Sequence, residues 1–199
     1  VPIRVNIPGG FMVYNTLDVL GAALALGISL KDSAAVLAKV PHVQGRVEVV
    51  PTPGKDYTIL IDYAHTPDSM VNVLQTVKEF AKGRTVAVFG CGGDRDKTKR
   101  PRMGKAAADW SDFAVVTTDN PRTEEPAAII RDILPGFDGS NTPYEVVEDR
   151  VEAIRWAMDH ARKDDVIVLC GKGHEAYQEV CGEKRHMDER ELVAAYTNG

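Results

Sequence analysis

Thr85-Val-Ala-Val-Phe-Gly-Cys-Gly-Gly-Asp-Arg95 decides the fold: an apolar, largely β-branched run stops at a glycine and opens into a loop of small and charged residues. A strand with one wet face alternates apolar with polar residues. Val86-Ala-Val-Phe89 does not alternate, so it suits a strand covered on both faces, as in a parallel sheet between helices. Ala114-Val-Val116 and Val166-Ile-Val-Leu169 repeat the texture. Strands are expected at 47–50, 58–62, 85–90, 113–118, 144–147 and 166–170. Helical spacing fills the gaps at 67–81, 103–110, 126–134 and 150–161. A last helix is expected from Asp188, with Glu191 completing a capping box. Alternating strand and helix makes 45–199 an α/β unit, a Rossmann-like, doubly wound, mostly parallel sheet.

Residues 1–44 read differently. Ile3, Val5 and Ile7 alternate with Arg4 and Asn6, the period of a strand, and Pro8-Gly9-Gly10 breaks it. Val13, Leu17, Leu20 and Leu24 recur at helical spacing between residues 11 and 26. Ser29 and Asp32 resemble a cap for a short helix running to Val40, which Pro41 ends. This segment is expected to close a preceding domain.

The 199 residues are 44% hydrophobic and 27% charged, with a net charge of −5, the balance of a soluble globular protein. A double-stranded nucleic-acid binder carries a basic face, so that class is disfavoured. The stretch Val19–Ile28, broken by Gly21 and Gly27, is about half the roughly 20 residues that a membrane span needs. Val1-Pro-Ile-Arg4 does not open like a signal peptide. Cys91, Cys170 and Cys181 are odd in number and scattered, which fits no disulfide framework and points to a reducing, cytoplasmic setting.

Ligands of such sheets sit beyond the carboxyl ends of the strands. The loops there are Asp62-Tyr-Ala-His-Thr-Pro-Asp68, Gly90 to Arg100, Thr118-Asp-Asn-Pro-Arg122 and Gly171-Lys-Gly-His-Glu175. Gly90–Arg100 fails the Walker pattern, since Asp96 rather than Gly precedes Lys97. It fails the dinucleotide fingerprint too, with Arg95 at the sixth position. Its cations Arg95, Lys97, Lys99 and Arg100 suit an anion such as a phosphate or carboxylate, or else a solvated basic turn. Pro121 keeps Asn120 out of the helical region, so Arg122 can offer two prongs to a carboxylate; an Asx turn is the structural alternative. Glu175 can accept from an ammonium group. Asp62 suits ribose hydroxyls and His65 a phosphate, against ordinary structural roles for both. Cys170, His174, Cys181 and His186 match no common zinc spacing. No nucleophile with an adjacent base stands out.

Seven motifs, in order, resemble the Mur ligases, ATP-dependent amino-acid ligases of peptidoglycan synthesis. They are Gly10-Phe-Met-Val-Tyr-Asn15, Gly45-Arg46-Val-Glu48, Asp62-Tyr-Ala-His-Thr-Pro67, Phe89-Gly-Cys-Gly-Gly-Asp-Arg-Asp96, Lys99-Arg-Pro101, Asp119-Asn-Pro-Arg122 and Gly171-Lys-Gly-His-Glu175. The resemblance implies the end of a central ATPase domain over 1–44 and an amino-acid-binding domain over 45–199. It also implies a reaction in which ATP, with Mg²⁺, phosphorylates the D-glutamate carboxylate of UDP-MurNAc-L-Ala-D-Glu, after which an amine displaces the phosphate. Asn15, Arg46, Asp62 and His65 match ATP-contacting positions. Asp119, Asn120, Pro121 and Arg122 form the motif associated with meso-diaminopimelate, with Arg122 on the distal carboxylate and Arg95 and Asn120 assisting. Gly171 and Glu175 would take the distal ammonium. The phosphate loop and the metal ligands of the family match nothing here, so these residues alone are expected not to turn over ATP. A lysine-adding ligase, a folylpolyglutamate synthase and a non-catalytic binding module are the alternatives.

Overall fold

The computed structural model describes residues 1–5, 10–40 and 43–197. Among them β1 (Glu48–Val50), β2 (Thr58–Asp62), β3 (Thr85–Phe89), β4 (Phe113–Val116), β5 (Tyr144–Val146) and β6 (Val166–Cys170) form one sheet in the order β1-β2-β6-β3-β4-β5. All neighbours are parallel except the edge pair β1–β2. Successive side chains on a strand point to opposite faces, and the unbroken apolar runs therefore feed two cores. Val166, Val168, Cys170, Ala87 and Phe89 face one core, with α3 (Pro67–Phe80), α4 (Lys99–Trp110) and α5 (Pro126–Ile133). Ile167, Leu169, Val86 and Val88 face the other, with α6 (Arg150–Asp159) and α7 (Glu189–Thr197). This is the expected doubly wound α/β architecture. The chain steps outward from β2 through β3 and β4 to β5, then returns through α6 to insert β6 between β2 and β3. That reversal opens a crevice at the carboxyl ends.

Local chemistry sets the helix starts. Thr66 caps α3 in a capping box with Ser69, and Pro67 occupies its first turn, where no N–H is needed. Helix α4 begins earlier than expected, at Lys99, so Lys99 and Arg100 belong to a helix rather than a loop. The box expected at α7 is only half made. The Asp188 carboxylate accepts from the Arg190 N–H, while the Glu191 carboxylate pairs with His186 instead.

The amino-terminal segment departs most from expectation. Residues 1–5 form no strand, and Ile3 is exposed, because no described strand pairs with them. Ile7, Pro8, Gly9 and Pro41 lie outside the described residues. Helices α1 (Gly10–Ala25) and α2 (Leu30–Leu37) do form, the second capped by Ser29 as expected. It stops before Val40 because Lys39 and Val40 donate to Val36 and Leu37 in tighter turns. Leu20 is buried, but Val13, Leu17 and Leu24 are exposed. No described helix is long and apolar enough to cross a membrane.

Candidate amino-acid site at the carboxyl ends of the strands

Four strand-end loops converge on one crevice, lined among others by His65, Gly92, Arg95, Lys99, Asp119, Asn120, Arg122, Gly171 and Glu175. The loops after β3 and β4 are laced together. The Gly93 N–H donates to Asn120 O (2.9 Å), and Arg122 Nη1 donates to Gly93 O (2.8 Å). Gly93 has to be glycine, since a Cβ there would collide with the Pro121 carbonyl oxygen. Its small size serves this chain-to-chain contact, not approach to a phosphate.

The four cations of the loop divide. Lys97 pairs with Glu124 at 3.0 Å. Arg100 is wholly buried and pairs with Glu124 (2.8 Å) and Asp132 (2.7 Å). Arg100 first, then the Asp94 N–H and Lys97, holds the Glu124 carboxyl down to about 2. The expected anion cluster is thus reduced: Lys97 and Arg100 neutralise carboxylates of the fold. Arg95, exposed and bonded among the described residues only to the adjacent Asp94 carbonyl, lines the crevice, and so does Lys99, which donates to His65 O.

The loop after β4 is buried at Asp119 and Asn120. The Asn120 side chain makes no Asx turn. It accepts at Oδ1 from Lys172 Nζ and the Glu179 N–H (both 2.9 Å) and donates at Nδ2 to Glu175 Oε2 (2.9 Å). A hairpin of β7 (Tyr177–Val180) and β8 (Glu183–His186) clamps this loop. The Arg122 N–H donates to Glu179 O and the Cys181 N–H donates to Arg122 O, which holds Arg122 at φ +53. Its Nε lies 3.2 Å from the Glu179 carboxylate, while Nη2 carries no hydrogen bond among the described residues. With Nε and Nη1 engaged, Nη2 is left to donate to a carboxylate, one prong where the sequence suggests two.

The loop after β6 supplies Gly171, at φ +115, and Glu175. Beneath it Arg150, buried, donates to Glu189 (2.8 Å) and to Cys170 O (2.9 Å), anchoring the end of β6. Cys170 is itself buried, and burial pushes its thiol pKa up.

The nucleotide-matching residues fare unevenly. Arg46 lies 5.2 Å over the Tyr63 ring and the His65 ring lies 4.7 Å from it, so both gather at one edge of the site. Asp62 faces into the fold. Its carboxylate accepts from the Val47 N–H at 2.8 Å, and burial raises its pKa against the hydrogen bonds from Val47 and Ala64. Asn15 sits exposed on α1 and does not line the crevice.

Sequence reasoning misses two features. Lys172 is one; a lysine between two glycines directly after a buried strand is its only signal. The hairpin is the other. Its strands carry no apolar alternation, but Cys181-Gly182, both at positive φ, form the two-residue turn that favours glycine second.

Residues 45–173 match the family model described as Mur ligase, glutamate ligase domain. The chain is 50% identical over 192 residues to UDP-N-acetylmuramoyl-L-alanyl-D-glutamate--2,6-diaminopimelate ligase of Clostridium botulinum, covering 96% of this chain and 39% of that protein. It is 46% identical over 199 residues to the ligase of the same name from Bacillus cereus, covering all of this chain and 40% of the other. A solved structure of a 2,6-diaminopimelate ligase superposes with a TM-score of 0.74 at 37% identity, over 98% of this chain and 40% of its own. A folylpolyglutamate synthase of Mycobacterium tuberculosis, 23% identical with a TM-score of 0.64 over 85% of this chain and 39% of its own, shares the fold. The chain thus spans about two fifths of the length of the relatives it matches. With the family model covering most of the sheet and its crevice, and relatives at half identity along nearly every residue, the chain belongs to the Mur ligase family.

Proposed function

We propose that residues 45–199 form the amino-acid-accepting domain of an ATP-dependent ligase that joins meso-diaminopimelate to UDP-MurNAc-L-Ala-D-Glu. Residues 1–44 would close its central domain, a reading supported by a family match that begins at 45 and by leucines left exposed on α1. The observation that carries the reading is the presence in one crevice of a half-open guanidinium, Arg122, and an acidic end made of the buried Asp119 and the half-buried Glu175. Diaminopimelate carries at its distal carbon both a carboxylate and an ammonium. Lysine lacks the carboxylate and would leave Arg122 Nη2 without an acceptor, a mismatch that polar sites discriminate strongly.

A carboxylate is a poor electrophile, and phosphorylation by ATP gives it a leaving group. ATP and Mg²⁺ come to this reading from the family, and because the chain spans about two fifths of the length of the relatives it matches, their grip is assigned mainly to the remaining part of such a ligase. Arg46 and His65 remain the nucleotide-facing candidates. Asp62, its carboxylate turned inward, would need to change partners to reach a ribose, and Asn15 would act from the central domain. The task of this domain is positioning. Arg122, Asn120, Gly171 and Glu175 hold the distal end, Arg95 assists at the rim, and the free amine is presented to the acyl phosphate. Pro121 keeps the loop extended. The setting is cytoplasmic, in line with the unpaired cysteines. The test is ligation by the full-length protein with ATP, UDP-MurNAc-L-Ala-D-Glu and either meso-diaminopimelate or L-lysine. A preference of at least about 100-fold for diaminopimelate in kcat/KM is expected, and equal use of lysine would refute the assignment.

A further inference from the structure

Lys172 is wholly buried and does not line the crevice, yet three residues that do line it surround its ammonium. Nζ lies 2.9 Å from Asn120 Oδ1, 3.3 Å from Glu175 Oε2 and 3.6 Å from Asp119 Oδ1, and the Tyr177 ring lies 5.6 Å away. We propose that Lys172 is a positioning residue that sets both the geometry and the charge of the ammonium-binding end of the crevice. The inference rests on the functional reading above and adds a residue to it.

Two consequences of the geometry support the role. The first concerns orientation. Because Lys172 and the Glu179 N–H both donate to Asn120 Oδ1, the amide cannot turn over without facing donors with donors. Its Nδ2 is therefore fixed toward Glu175 Oε2, which also accepts from Lys172. With Oε2 doubly held, Glu175 keeps Oε1 for a ligand. The second consequence concerns charge. Asp119 and Glu175 bring two carboxylates to one end, and Lys172 offsets one of them. The remaining negative charge suits one ammonium group, and Asp119 Oδ1 is buried there with no hydrogen-bond partner. Without Lys172 two carboxylates would face each other, a pairing that favours protonation or displacement of one of them.

The experiment uses the full-length ligase and compares wild type, Lys172→Met, Glu175→Gln and the double variant. KM is measured for meso-diaminopimelate, ATP and the UDP-linked substrate, with thermal melting followed in parallel. Lys172→Met should raise the diaminopimelate KM at least tenfold and leave the other two KM values within twofold. The double variant should be no more than about threefold worse than Glu175→Gln alone, because Lys172 acts through that carboxylate. Should Lys172→Met fail to fold, the comparison of the double variant with Glu175→Gln still decides, since removal of both charges leaves neither one buried and unpaired. An unchanged diaminopimelate KM in Lys172→Met, or a double variant tenfold worse than Glu175→Gln, overturns the proposal. A wild type that ligates no diaminopimelate removes the functional reading instead, and this one with it.

Discussion

The two ends of the same sheet treat charge in opposite ways. At the amino ends, Asp165 accepts from the Arg84 and Arg162 N–H groups and from the Arg84 guanidinium at 2.6 Å, while Asp112 accepts from the Thr85 N–H and Lys78. At the carboxyl ends, Arg100 Nε, Asp119 Oδ1, Arg150 Nη1 and Glu189 Oε2 are buried with no hydrogen-bond partner among the described residues. Among charged groups, folding closes the first set upon itself and leaves the second incomplete; at the amino ends only the uncharged Tyr57 OH and Thr85 Oγ1 are buried without a hydrogen-bond partner among the described residues. Buried polar atoms are rarely left unpaired without a reason, and an incoming ligand at the strand ends is a reason for Asp119.

Substitutions at the two ends should therefore fail differently. If the proposed function holds, Arg122→Ala in the full-length protein should lower kcat/KM for diaminopimelate at least about 100-fold, with melting little changed, because Arg122 lines the crevice and is only partly committed to the fold. Asp165→Ala should do the reverse. It strands Arg84 and two backbone N–H groups, so unfolding in urea should show a loss of about 3 kcal/mol, with Asp165→Asn losing less. If Asp165→Ala lost ligation without losing stability, the contrast between the ends would be wrong.

A smaller effect separates charges at the carboxyl end that serve the fold from those that serve the site. Glu124 has a folded pKa of about 2 against an ordinary 4.5. A depressed carboxyl contributes stability that is present above the ordinary value and is lost as pH falls toward the folded one. The stability advantage of wild type over Glu124→Gln should thus shrink between about pH 5 and pH 3; an advantage independent of pH there would show that the pairs with Arg100 and Lys97 contribute nothing. The mildest perturbation is thiol labelling. Cys91, at the crevice wall, has its pKa pushed up to about 12 by burial, and Cys170 is also buried, whereas Cys181 is exposed. A maleimide should label Cys181 alone in the folded protein. Labelling of Cys91 at a similar rate would mean that the crevice wall opens.

The sheet was legible because strands buried on both faces need unbroken apolar runs, and Val166–Cys170 has no other use for them. The loops stand out because glycine, amide and charge concentrate at strand ends, although Gly93, Lys97 and Arg100 prove to serve the fold. What escaped were residues whose surroundings reverse their usual habits. Lysine normally sits on the surface, so beyond its place between two glycines nothing about Lys172 announces full burial. Asp62 looks available at its strand end, but the N–H groups of Val47 and Ala64 reach it first. Ile3 and Val5 have strand periodicity and no neighbouring strand among the described residues, and periodicity without a partner forms no sheet.

Under the proposed function the crevice grips an amino acid by its distal carboxylate and ammonium, and a structure of the full-length protein with meso-diaminopimelate would show whether it does. The distal carboxylate is expected on Arg122, through the Nη2 left open here, with the ammonium beside Glu175 and the Gly171 carbonyl. A ligand bound with that end away from Arg122, or seated outside the crevice, would contradict it.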